Sequence, residues 1–379
     1  MKALAARGRH DVAIYAPHAR GLYEHDAGAR DGGGAELQTM LLALSLAERD
    51  LDVAHVVYPV DGPRPLEQPA PTLVERREHR GHIPLQPLFE LADVWRALSA
   101  ADARIVVVRG SGGYLIPAAA WCRTHRRALV FAASNDLDFD LEREDRRGAT
   151  LRAYGLAARQ ATRLVVQTEY QASLAARTFP ELDTTLIPSF AQLAPPVDGK
   201  AEYFLWADRM TDYKRPVKYL ELAASLPEAQ FRMVAVETGE TSPELRREVH
   251  ARAAALPNVQ LVERLSRAQL LAQMDTATAI VKTSEVEGMP NTFLEAWARG
   301  VPVLSLSVDP NERIAEHGVG LLAEGSDERF AEDARRLWTD PALRAEIGAR
   351  GREFVRATHS IDVVADKWAA LLTDLLARR

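Results

Sequence analysis

The chain has 379 residues, 47% of them hydrophobic and 26% charged, with a formal net charge of −6; a disordered chain is thereby excluded, and the length suits two globular domains. Its single cysteine, Cys122, can form neither an internal disulfide nor a multi-cysteine zinc site, which points to a reducing, cytoplasmic setting. The negative balance supplies no cationic field for nucleic acid, and no run approaches the roughly 18 apolar residues of a membrane span.

In chain order, Arg7, Arg9, His10 and Asp11 interrupt the N-terminus and leave no apolar core of a secretion signal. A strand is predicted at 12–15 and a helix at 35–49, where Leu37, Leu41, Leu44 and Ala47 recur on one face. Strands follow at 53–58, 104–108, 128–132, 163–166 and 184–187; several are near-continuous apolar runs, as in parallel sheets covered on both faces. Residues 188–200, PSFAQLAPPVDGK, hold three prolines and no helical period, so they read as a hinge. A second alternation then runs through strands at 203–206, 231–236, 259–262, 277–282 and 301–306. Its helices are predicted at 216–225, 242–254, 267–274 and 292–299, and a mostly helical tail starts at Asp327, with Pro341 opening one helix and Ser360 a candidate cap for the last. Two doubly wound α/β domains are the economical reading, with ligand in a crevice at the strand C-termini. The net charge is −1 through Pro195 and −5 after it. Basic runs at 76–80 and 123–127 are either solvated faces or a surface for an acceptor or a membrane.

The chemistry concentrates in three loops. The segment from Lys282 to Pro310 ends a buried strand, passes Gly288 and Pro290, and opens a helix near Asn291 or Thr292; such a helix start presents N–H groups and a positive dipole end to phosphate. Glu287 and Glu295 can both accept hydroxyls there, but Thr292-Phe-Leu-Glu295 also fits a capping box, in which Glu295 would satisfy a backbone donor. After the strand at 203–206, Arg209 and Lys214 are either a diphosphate clamp or two surface cations, and Pro216 opens the next helix. Asp31-Gly32-Gly33-Gly34-Ala35-Glu36 either brings backbone against a ligand or is simply a flexible loop, and it lacks the dinucleotide G-x-G-x-x-G spacing. Arg109-Gly-Ser-Gly-Gly113 is a weaker loop of the same kind. Asp136, Asp138 and Asp140 offer Asp-x-Asp twice, a pattern that could hold a divalent ion but is common by chance. His18 and His25 either reach the cleft or are exposed loop histidines.

Taken in order, these residues resemble the retaining glycosyltransferases of family 4, from Gly33–Glu36 to the closing helix. The strongest portion is Glu287-Gly-Met-Pro-Asn-Thr-Phe-Leu-Glu295; the Arg209/Lys214 pair is the second anchor, and Gln167-Thr-Glu-Tyr-Gln171 resembles a segment of polysaccharide-forming members. The resemblance implies a GT-B fold, two Rossmann-like parallel-sheet domains facing a central cleft. The acceptor domain would be 1–195 and the nucleotide-sugar donor domain 196–357, with a C-terminal helix in 358–379 packing back on the first. It implies transfer of a hexose-type sugar from a nucleoside-diphosphate sugar to a carbohydrate or lipid-linked acceptor, with no metal or other cofactor. Glu295 would hold the ribose. Glu287, with Gly288, Met289, Pro290, Asn291 and Thr292, would hold the sugar and its phosphates, Arg209 and Lys214 would stabilise the departing diphosphate, and Gly33 and Gly34 would close over it. Asp208 stands where the family usually has glycine, and it either pairs with Arg209 or points away. The N-terminal histidine of many members is missing from Ala133-Ser134-Asn135-Asp136, where Asn135 or Asp136 would contact the sugar instead. A nucleotide-sugar epimerase of the same fold and a catalytically inactive nucleotide-sugar-binding module are the alternatives. The enzyme would be cytoplasmic, associating weakly with the inner face of the membrane, and would bind no nucleic acid.

Overall fold

The computed structural model describes residues 9–23, 34–60, 66–78, 86–110, 113–142, 148–195, 201–262 and 264–378. The first half runs β1 (His10–Tyr15), α1 (Gly34–Ala47), β2 (Val53–Val57), β3 (Thr72–Glu75), α2 (Gln86–Ala101), β4 (Ala103–Arg109), α3 (Leu115–His125), β5 (Ala128–Ala132), α4 (Gly148–Ala158), β6 (Arg163–Val166), α5 (Glu169–Thr178) and β7 (Thr184–Leu186). The second runs β8 (Tyr203–Arg209), α6 (Pro216–Ser225), β9 (Phe231–Val236), α7 (Pro243–Ala255), β10 (Val259–Val262), α8 (Arg267–Met274), β11 (Ala277–Lys282), α9 (Asn291–Arg299), β12 (Val303–Ser305), α10 (Arg313–His317), β13 (Gly320–Leu322), α11 (Asp327–Thr339) and α12 (Pro341–Thr358). The last helix is α13 (Ile361–Ala377).

These elements form two compact units, Met1–Phe190 with Ile361–Arg379, and Ala191–Ser360. The sequence boundaries expected at 195/196 and 357/358 therefore lie at 190/191 and 360/361. The reason is local packing. Phe190 is buried with Val12, Ile14 and Val364, and its backbone is gripped at both ends by Gln38. Ala191 instead bridges to Ser360 and takes the His359 carbonyl at 2.7 Å.

The first unit is a parallel sheet in the order β3-β2-β1-β4-β5-β6-β7. Alternation along each strand splits its core in two: Ala13, Tyr15, Val106 and Val108 face α2, α3 and α4, while Val12, Ile14, Ile105 and Val107 face α1 and α13. Strand order reverses between β1 and β4, which is where an open α/β sheet leaves a crevice. The second unit is a parallel sheet in the order β10-β9-β8-β11-β12-β13. Phe204 and Trp206 pack towards α6, α7 and α11, and Tyr203, Leu205 and Ala207 towards α9 and α12. Edge strands β3 and β13 were not anticipated from sequence; each is only three or four residues long, with a partly exposed face and too little apolar pattern to register.

Two glycines let α12 lie directly on α9. Gly300 ends α9 at φ +74°, and a Cβ placed on Gly348 would stand 1.9 Å from the Gly300 carbonyl oxygen. Gly348→Ala must push α12 off α9, so it is expected to destabilise the second unit by about 1–3 kcal/mol. Gly239→Ala, where nothing lies within 4 Å of the added atom, is the control. Equal urea midpoints for the two variants would refute this packing.

Candidate functional site

The side chains of the second unit converge at the C-terminal ends of β8 and β11. These are the two central strands, so the loops that leave them are anchored in the apolar core before any polar contact is made. The loop after β8 turns through Asp212–Lys214, and Arg215 at φ +51° hands the chain to Pro216 at the first turn of α6. The loop after β11 leads to α9. Two bonds join them: Thr283 Oγ1, which accepts from Trp206 Nε1 of β8 at 2.9 Å, donates to the Lys214 carbonyl at 2.7 Å, and the Glu285 N–H donates to the Tyr213 carbonyl at 2.9 Å.

Four buried or nearly buried charges complete the junction. Lys214 Nζ donates to Glu287 Oε1 and lies 3.3 Å from Asp208 Oδ2. Lys282 Nζ donates to Asp208 Oδ2 at 2.7 Å and stands 3.5 Å from Glu287 Oε1. Ser284 Oγ donates to the same Glu287 oxygen at 2.7 Å. Two ammoniums thus face two carboxylates, and the two lysines are only 6% and 3% exposed. Burial alone would raise the Asp208 carboxyl, but the Lys282 and Lys214 ammoniums outweigh it and hold Asp208 below its ordinary value. Burial works against the Lys282 charge, yet Asp208 and Glu287 lift its pKa above the usual lysine range.

Of the residues expected at this site, Lys214 and Glu287 meet directly. The Arg209 guanidinium lies aside and half exposed, donating to Tyr213 Oη and lying 3.3 Å from Glu240. Asp208 takes neither course expected of it: its carboxylate accepts the Arg209 backbone N–H at 2.9 Å and otherwise serves the lysines. The capping box at Thr292 does not form. Pro290 is the N-cap of α9, no side chain caps this end, the Thr292 hydroxyl is buried without a partner, and Glu295 accepts from Arg267 instead. Gly288 is half-buried in the loop, Met289 and Pro290 are buried, and Asn291 and Thr292 form the first turn of the helix. Lys282, Ser284, Thr283 and Arg267 were missed as site residues. A lysine closing the otherwise apolar strand ATAIVK was the available signal.

In the first unit, Gly33 lies outside the described residues, as do Asp31, Gly32, His25, Ser111 and Gly112; Gly34 opens α1 and is exposed. At the β1/β4 switch point a small pocket is lined by Tyr15, His18, Glu36, Thr39, Arg109 and Tyr114. Burial pushes Arg109 down to about 10, against the pull of Asp138 and Glu36. Beyond β5, Asn135 is exposed and Asp136 accepts from Gln171 Nε2 at 3.1 Å. The Asp-x-Asp acids have local work: Asp138 Oδ2 accepts the Ser134 N–H at 2.6 Å and its hydroxyl at 3.0 Å, and Asp140 accepts the Glu142 N–H at 2.9 Å. Among the described residues no group of three or more His, Cys, Asp or Glu is placed to hold a metal ion. Gln167 and Gln171 stitch the strand ends together, Gln167 donating to the Ala133 carbonyl at 2.7 Å and accepting from Ser189.

Two family models match this chain: "Glycosyl transferase 4-like domain" over residues 33–189 and "Glycosyl transferases group 1" over residues 192–354. Among curated proteins, a glycosyltransferase 1 domain-containing protein of Xenopus tropicalis is 28% identical over 133 residues, covering 35% of this chain and 39% of that protein. A GDP-mannose-dependent phosphatidylinositol monomannoside mannosyltransferase of Corynebacterium glutamicum is 35% identical over 89 residues, 23% of each chain. The matched segments thus span less than half of these relatives. Among solved structures, sucrose-phosphate synthase from Thermosynechococcus elongatus superposes with a TM-score of 0.75 at 19% identity, over 98% of this chain and 100% of that one. Anabaena HepE, solved with UDP and glucose, gives 0.73 at 17% identity over 96% and 100%. Both similarities place the chain in the GT-B fold.

Because the folded pKa of Asp208 lies below its ordinary 3.8, its contribution to stability is complete above that pH and is lost as pH falls through the folded value. Asp208→Asn leaves two buried ammoniums facing one carboxylate and is expected to cost about 3–5 kcal/mol near pH 7. In urea titrations its gap from wild type should close as pH drops below 3.8; a gap that widened in acid would contradict the network.

Proposed function

The chain belongs to the GT-B glycosyltransferases of the family 4 type, and from that premise we propose that it transfers a hexose-type sugar from a nucleoside-diphosphate sugar to a carbohydrate or lipid-linked acceptor, with retention at the anomeric carbon. The observation that carries this reading is the meeting of Lys214 and Glu287 beside a helix start that has no side-chain cap.

As the bond from the anomeric carbon to the diphosphate breaks, negative charge grows on the departing oxygen. A fixed ammonium and the positive end of α9 stabilise that charge more than they stabilise the intact donor, which lowers the barrier rather than merely tightening binding. Lys214 takes this role as a point charge, and Arg209, exposed at the end of β8, adds a fork for the phosphate oxygens. Glu287 accepts hydroxyls of the transferred sugar, and Glu295, held by Arg267, accepts those of the ribose. Gly288, Met289, Pro290, Asn291 and Thr292 bring backbone and the helix end against sugar and phosphate. The new bond forms on the face the diphosphate leaves, and the acceptor proton departs with the leaving group. No metal is assigned a step. The pocket of Tyr15, Glu36, Arg109 and Tyr114 offers aromatic rings and both charge signs to an acceptor.

A lipid-linked acceptor suits the outer face of α2 and α3. Leu91 is exposed at 41%, and Trp95, one turn further on, touches the His125 ring beside exposed Arg123. Aromatic and cationic side chains together favour an anionic membrane surface. Among the described residues no helix is long and apolar enough to cross a membrane.

Lys214→Ala and Glu287→Ala are each expected to lower kcat/KM for the nucleotide-sugar by at least about a hundredfold. Undiminished transfer by both variants would overturn the assignment. Activity should survive a chelator, and loss restored by Mg²⁺ or Mn²⁺ would show that a metal is required. Trp95→Ala should weaken sedimentation with phosphatidylserine vesicles while leaving transfer to a soluble acceptor intact.

A further inference from the structure

Lys282 has no part in the transfer just described, although it is buried at the same junction. It closes β11, is 3% exposed, and contacts both carboxylates of the network. A buried ammonium is costly to maintain, so its place between Asp208 and Glu287 calls for a use.

The contacts of Glu287 Oε1 suggest that use. This oxygen is claimed by Lys214, by Ser284 at 2.7 Å and, more distantly, by Lys282 at 3.5 Å. In this arrangement Lys214 is therefore spent on a carboxylate of its own protein. A diphosphate that recruits Lys214 has to compete with Glu287, and Glu287, only 13% exposed, would lose its nearer cation. Lys282 removes that obstacle: a shift of under an ångström brings it within hydrogen-bond range of the same oxygen. Asp208 keeps both lysines in reach, 2.7 Å from Lys282 and 3.3 Å from Lys214.

We propose that Lys282 is a positioning residue of the donor site, the replacement partner that neutralises Glu287 when the diphosphate draws Lys214 away. Asp208 is the hinge of this exchange, holding one lysine while the other moves. The inference rests on the donor reading given above. It adds that the cation that binds phosphate and the acid that binds sugar start out paired, and that a second cation makes their separation feasible.

The test is calorimetric titration of the full chain with UDP, GDP and ADP, followed by steady-state transfer. Lys282→Met is expected to weaken the nucleoside diphosphate bound by wild type at least about tenfold, because Glu287 then retains Lys214. Lys282→Met combined with Glu287→Gln should recover that affinity, since the competing charge is gone. To separate folding from positioning, Asp208→Asn with Lys282→Met restores the charge balance of the network. It should regain thermal stability over Lys282→Met alone while its nucleotide affinity stays low. Recovery of both together would make Lys282 no more than a counter-charge for Asp208 and overturn the inference, as would unaltered binding by a folded Lys282→Met. A wild-type chain that bound none of the three nucleotides would instead overturn the donor reading, and this inference with it.

Discussion

An ammonium taken out of water must find an anion or lose its charge, and Lys214 satisfies that demand with Glu287 and Asp208. The pair does more than neutralise. Lys214 comes from the loop after β8 and Glu287 from the loop after β11, so their attraction ties together two segments 73 residues apart in sequence. Backbone bonds at Thr283 and Glu285 hold the same two loops in register. An ion pair of this kind adds little net stability after its desolvation cost, but a misplaced member would leave a buried charge alone. The arrangement is consequently exacting about geometry, which is what a group that has to meet a ligand requires.

The first unit handles its strand ends with different materials. There the ends of β5, β6 and β7 are joined by neutral amides and a hydroxyl, through Gln167, Gln171 and Ser189. The buried carboxylate of Asp138 is surrounded by two N–H groups and a hydroxyl of the adjoining turn. Both units leave the C-terminal ends of their central strands for polar side chains, because helices cover the two faces of these strands with apolar packing. The fold thus sets the location in each case, and the side chains set the chemistry.

Most of the architecture was legible as alternating apolar runs, and the strands buried on both faces were the clearest of these. Strands β3 and β13 escaped because short edge strands bury too little to impose a pattern. The Glu287-to-Glu295 segment could be read as a site because its acids, glycine and proline recur at defined places around a helix start. What could not be read was pairing. Nothing in the order of residues says that Asp208 turns to Lys282 and not to Arg209, since β8 and β11 become neighbours only in the sheet. The Thr292–Glu295 spacing misled for a similar reason: Pro290 starts α9 two residues earlier than a Thr292 cap requires, and Arg267, on α8, claims the acid.

The closing helix α13 contributes Val364, Trp368 and Leu372 to the core that also contains Val12, Ile14 and Ile105 of the first unit. All of Ala191–Ser360 lies between these segments in the chain. At about 5–20 residues per second, a ribosome spends roughly ten to thirty seconds on that intervening stretch. Throughout this interval α1 alone covers that face of the emerging first sheet, so the part beneath Val364, Trp368 and Leu372 stays open until α13 has been made.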